Sequence, residues 1–219
     1  MRQFDFYEFA GVIVPGTVFL VGAAILAEPI RKLVFGELSV GEATLSVIAA
    51  YGIGHLIQAL GNLIEWGWWR AWGGIPSDWV RSQRHRLLSE EQAASLDVEL
   101  EGKLRLKVTD GYRSMSAHAW YSVVRQVYAT VASSGNAQRV DIFNGNYGLN
   151  RGLAAALLAI AVVNAIMEGR SWKAELILMV GVILALYRMH RFGVHYAREL
   201  FVQFVQLPGR DATKENRKE

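Results

Sequence analysis

The chain has no cysteine, only four prolines and a formal net charge of just +3 over 219 residues. The missing cysteine removes disulfides, thiolate nucleophiles and cysteine-based zinc sites together. The small net charge gives no compositional argument for nucleic acid as a partner. Also missing are a Walker loop, a Rossmann glycine fingerprint, a nucleophile elbow and a zincin motif, the usual local signatures of enzymatic chemistry. The five histidines are His55, His85, His118, His190 and His195. His190 and His195 are five apart, off a common helix face, and make a poor metal pair. No catalytic residue, metal ligand or cofactor is assigned on this reading, and the chain is not taken for an enzyme.

What the sequence does have is apolar length. Hydrophobic residues make up 52% of the chain and charged residues 20%, and the two classes are kept apart. Apolar runs extend from Phe9 to Ala27, Val40 to Trp72, Leu149 to Met167 and Ala174 to Tyr187, the last continuing as a helix to Leu207. Runs of this kind are read as membrane spans. The first is taken as a retained span rather than a cleaved signal peptide, because its apolar core is long and its start is not basic. Pro15-Gly16 inside it predicts a kink, with a freed carbonyl for a neighbouring helix or water to satisfy. The expected fold is therefore an all-α membrane protein. Four transmembrane helices form two hairpins, with a mainly helical cytoplasmic insert between spans two and three. The predicted boundaries are 1–72 for the first hairpin, 73–148 for the insert, 149–207 for the second hairpin with its helical extension, and 208–219 for a disordered tail.

Glu28 to Glu42 reads as a short connection, and Gly73-Gly74-Ile75-Pro76 stops the second span. Within the insert, Ser89-Glu90-Glu91-Gln92 has capping-box spacing and predicts a helix start. From Val98 to Val108, apolar residues alternate with charges, a period of two that predicts an extended piece or a hairpin around Gly102. Acids precede Gly102 and bases follow it, as cross-strand ion pairs would require. Trp120, Val124, Val127 and Val131 then mark an amphipathic helix over 114–132.

The second span carries a polar stripe of Thr44, Tyr51, His55, Gln58, Asn62 and Glu65, spaced by threes and fours. One reading is glue between helices, for which polar and small residues are usual. The other is the lining of a pore, since polar groups inside a membrane tend to face water. A third gives His55 or Glu65 acid–base work in a membrane enzyme. In the insert, Arg81, Arg84, Arg105, Lys107, Arg113, Tyr121 and Arg125 combine bases with aromatics, a pattern that suits single-stranded nucleic acid. The same residues also read as a solvated face meeting anionic headgroups.

Three stretches carry a resemblance: FDFYEFAGVIVPG at Phe4–Gly16, YGIGHLIQ at Tyr51–Gln58, and RVDIFNGNYGLNRGLAAALL at Arg139–Leu158, with Phe143, Tyr147 and Arg151 four apart. Together they resemble small multi-span membrane effectors of bacterial anti-phage defence, most closely the Hailong-type DNA-gated channel effector. The resemblance implies an inner-membrane ion channel. It also implies a partner nucleotidyltransferase, whose single-stranded DNA oligomer or other nucleotide signal holds the channel shut through the insert. One chain with one polar stripe cannot enclose a water path, so the channel reading predicts a homo-oligomer. Flanking arginines place both termini and the insert in the cytoplasm. The rival readings are a lipid-modifying membrane enzyme and a non-conducting anchor that recruits partners.

Overall fold

The computed structural model describes residues 9–35, 40–82, 85–106, 110–167 and 171–208, and every regular element among them is helical. The chain divides into two compact units, Met1–Ala71 with Asn144–Phe192, and Trp72–Phe143 with Gly193–Glu219.

In the first unit, a π turn at Phe9–Ile13 leads into α1, Val14–Leu26, with Pro15 at its start. A single extended residue, Ala27, separates α1 from α2, Glu28–Phe35, so part of the expected connection is helical. Arg31 pairs with Glu28 on α2. The 32-residue α3, Val40–Ala71, ends where Gly73 and Gly74 take left-handed φ values of 78° and 113°. Only glycine adopts such values without strain, so the predicted stop works as expected. Among the described residues, three stretches are long and apolar enough to cross a membrane: Thr44–Ser82, Gln138–Ile166 and Trp172–Gln206. The apolar helix of the first expected span, Gly11–Leu26, is shorter.

α1 and α3 cross on small residues. A Cβ added to Gly16 would collide with the Ala50 carbonyl and the Gly54 backbone, and one added to Gly54 would collide with the Val12 carbonyl. Ala50 and Gly54 are one turn apart, the small-xxx-small arrangement that lets helix backbones touch where no hydrophobic drive exists. Gly54→Leu should therefore force the helices apart and lower stability by more than the roughly 1–3 kcal/mol of ordinary overpacking. Thermal unfolding in detergent checks this, with Gly52→Leu as control, because a Cβ at Gly52 meets open space.

The second unit contains α4, Pro76–Ser82, then α5, Glu90–Leu104, a 3₁₀ turn at Tyr112–Ser114, and α6, Ala117–Ser133. It also holds the first residues of α7, Gln138–Ile166, and the last of α8, Trp172–Gln206. Its core is Trp120, fully buried, stacked on Phe201 with centroids 5.5 Å apart and on Tyr112 at 5.6 Å. The Trp120 indole donates to the Ser77 carbonyl at 2.9 Å, so its one polar atom is satisfied. Val127, Val131, Leu200 and Phe204 complete the packing, all fully buried.

The predicted capping box forms: Gln92 N–H donates to Ser89 Oγ, and Ser89 N–H donates to the Gln92 side chain. The extended piece or hairpin expected from Val98 does not, because α5 runs unbroken through Gly102 to Leu104. Leu96, Leu100 and Lys103 are buried at helical spacing, while Val98 is 70% exposed. The alternation was thus a by-product of a helical stripe, since Leu100 belongs to both periods. The sign change is used along the helix instead, where Glu99 pairs with Lys103 at 2.9 Å. Arg105 ends α5 in a left-handed conformation, φ 57°. Lys107 and Val108 lie outside the described residues.

Candidate functional site

The six stripe residues of α3 do not stay together. Thr44, Tyr51, His55 and Asn62 are exposed, whereas Gln58 and Glu65 turn toward α7. Residues 44, 51, 58 and 65 are seven apart, and a straight α-helix drifts about 20° per heptad. The drift carries this line from the exposed face toward the buried one, where Gly54, Ile57 and Gly61 lie. His55 and Asn62, on the adjacent line, remain outside. Tyr51 packs edge-on against His55 with centroids 4.7 Å apart.

Gln58 uses its whole amide. Its Nε2 donates to the Gly11 carbonyl and, at 3.3 Å, to the Gly148 carbonyl. The α-helical donor to Gly11 would be the N–H of residue 15, which proline lacks. Gln58 is therefore a neighbour-helix donor to a carbonyl that Pro15 cannot serve. Its Oε1 accepts from Arg151 Nε at 3.2 Å and Nη2 at 2.7 Å. The remaining arm of the guanidinium, Nη1, pairs with Glu65. Room for this comes from glycines. A Cβ at Gly152 would lie 2.6 Å from Pro15 Cγ and 2.7 Å from Gln58 Nε2, and one at Gly61 would lie 3.2 Å from Arg151 Cγ.

One turn along, the Trp69 indole donates to the Tyr147 hydroxyl at 2.7 Å. Trp68 donates to His190 Nδ1 at 3.3 Å. These contacts explain the spacing of Phe143, Tyr147 and Arg151. Phe143 stacks on His195 at 5.5 Å, Tyr147 meets Trp69, and Arg151 meets Gln58 and Glu65. Arg151 went unnoticed as a site residue because an arginine bordering an apolar run reads as a flanking charge.

The expected ligand-binding residues of the second unit separate as well. Arg81 is half-buried and donates to the Met115 carbonyl at 2.8 Å, tying α4 to the approach to α6. Arg105 closes α5 with its backbone and is exposed. Tyr121 and Arg125 are exposed one turn apart on α6. Arg113 is exposed, its guanidinium 5.6 Å from the Tyr112 ring centroid. Arg84 and Lys107 lie outside the described residues. Of this set, Arg113 alone lines a cavity of about 710 Å³, together with Arg86, Asp97, Asp110 and Trp79. Arg86 holds a positive φ of 41°, a strained value for a side chain of its size. Asp97 is already engaged, accepting from the Tyr112 N–H at 2.7 Å. Among the described residues, no group of three or more His, Asp or Glu side chains is placed to hold a metal ion. No protein-family model, curated protein or solved structure matches the chain.

Proposed function

We propose that the chain is a multi-pass membrane protein that assembles as a homo-oligomeric ion channel, an effector of bacterial anti-phage defence. Four spans, α1, α3, α7 and α8, form two hairpins in the inner membrane, with both termini and the insert cytoplasmic. A nucleotide or single-stranded DNA signal made by a partner nucleotidyltransferase gates it at the insert, and the open channel depolarises the cell. The observation that carries this reading is the exposed polar edge of α3. Tyr51, His55 and Asn62 stand beside exposed Ile48, Leu56 and Leu63 on a helix long enough to span. Facing lipid, such groups are costly; facing the same edge of other copies around water, they are not.

Support for a membrane boundary at the insert end of the spans comes from cations paired with exposed rings. Arg70 lies over Trp66 at 5.6 Å and Arg191 over Tyr187 at 6.0 Å, on segments that the Trp68–His190 contact brings to one level. Aromatic and basic residues grouped this way suit a headgroup boundary. The resemblance to the Hailong-type effector supplies the signal and the sign of gating. In the insert, the exposed Tyr121–Arg125 face of α6 supports an anionic ligand.

The test is membrane potential in bacteria expressing the chain alone, beside a His55→Leu, Asn62→Leu variant at equal level. Wild type is expected to depolarise the cells and the variant to leave them polarised. An intact potential in both would overturn the channel reading. Gln58 is left untouched, since its loss would act through the α1 kink rather than through a pore.

A further inference from the structure

The first unit has a second opening, unrelated to the polar edge. A groove of about 670 Å³ lies between α1, α7 and α8, with Val21, Ile25, Leu157, Ile160 and Ile177 on its walls and Thr17 its one polar side chain. On its floor Gly22 takes the Ile160 side chain against its backbone, since a Cβ there would run into Ile160. Along α1 it extends from Ile13 to Leu26, roughly 20 Å at the helical rise of about 1.5 Å per residue.

The occupant follows from lining and location. Water needs polar partners, which this surface does not offer. A packed helix wants a flat, small-residue surface, whereas Ile25 and Ile177 project from the rim at 69% and 72% exposure. An aliphatic chain fills such a slot and restores the dispersion contacts that an empty one forfeits. The groove ends at Leu26 and Ala174. There Trp172 is 67% exposed, with the Lys173 ammonium 5.9 Å from its ring centroid. Lys173 stands one turn before Ile177 on the same side of α8, so its charge lies at the mouth. A ring and an ammonium at the end of an apolar slot match a phosphate-bearing headgroup attached to an acyl chain.

We propose that this groove seats one acyl chain of an anionic phospholipid whose phosphate meets Lys173. The proposal rests on the membrane-spanning reading above and is independent of conduction.

The test uses the full chain in nanodiscs of phosphatidylethanolamine and phosphatidylglycerol, with retained phospholipids counted by native mass spectrometry. Ile177→Trp fills the groove from an exposed position and should remove about one retained phospholipid per protomer, with helical content unchanged. Leu184→Trp, at an exposed position outside the groove, should remove none. Lys173→Gln should keep the count and abolish any preference for phosphatidylglycerol. An unchanged count in Ile177→Trp overturns the proposal. So does a changed subunit number at constant lipid count, which would make the groove a seat for a second copy. Alkaline carbonate extraction separates the two readings. A wild-type chain that leaves the membrane overturns the spanning reading itself, whereas a retained chain with unchanged lipid counts overturns the groove alone.

Discussion

Arg151→Met is expected to destabilise the first unit by about 3–5 kcal/mol, the usual cost of stripping one partner from a buried ion pair. The Arg151 and Glu65 side chains are only 13% and 24% exposed, so solvent does little to soften the loss. Glu65 would keep a charge without its guanidinium, and Gln58 Oε1 would lose two donors at once. Removing both charges, as Arg151→Met with Glu65→Met, should recover most of the stability, because the penalty comes from the orphaned carboxylate rather than from the missing attraction. Arg151→Lys should recover less. An ammonium cannot present two parallel donors to Gln58 and a third to Glu65. Unfolding in detergent, followed by tryptophan fluorescence, measures all three, with Trp69 one turn away as a reporter. A single variant as stable as wild type would mean that the pair contributes nothing net.

The second large effect is expected at Lys103. Its ammonium donates to the Phe204 carbonyl at 2.7 Å, to the Val205 carbonyl at 3.2 Å and to Glu99 at 2.9 Å, using all three of its protons. The two carbonyls belong to the last turn of α8, where acceptors have no helical donor and the dipole favours a cation. With its side chain 4% exposed, Lys103 is a buried cap, supplied from α5 to the end of another helix. Lys103→Met should cost about 2–3 kcal/mol, the scale of charge-assisted hydrogen bonds lost in a buried place. It should also make the end of α8 an early site of proteolytic nicking. Limited proteolysis with mass mapping reads this out, and cleavage rates equal to wild type between residues 193 and 206 would contradict it. Lys103→Arg is a poor rescue, since three acceptors converging on a point do not match a planar fork.

Much of the architecture was written locally in the chain. Ser89 and Gln92 form the capping box that their spacing announces, and Gly73-Gly74 stops α3 because no other residue tolerates those φ values. Trp120, Val127 and Val131 pack as the amphipathic period of α6 requires. The misread segment, 98–104, shows the limit of periodicity. From Val98 to Val108 five apolar positions fit a period of two, and deciding between strand and helix depended on burial of Leu96, which lies outside the alternating stretch. The site was harder still. Gln58 and His55 look equivalent on a helical wheel, yet one joins three helices and the other is exposed. What separates them is a drift of a few tens of degrees combined with the position of α1, and the second of these is tertiary information. Arg151 and Lys103 were invisible for a related reason: a buried cation has no local mark, only partners distant in sequence.

The Pro15–Gln58 contact also bears on biogenesis. If α1 and α3 span the membrane as proposed, a chain made from its N-terminus delivers α1 to the bilayer before α3 exists. Until Gln58 arrives, the Gly11 carbonyl lacks this side-chain donor, and Pro15 has no N–H to offer it. On that reading α1 enters lipid before its side-chain partner is made and gains it from α3, with Arg151 on α7 fixing the amide only later. Such a span depends on being sheltered in the insertion machinery until its successors are synthesised. Folding in this unit is consequently tied to the order of translation, and a first hairpin released early would be a substrate for quality-control proteases.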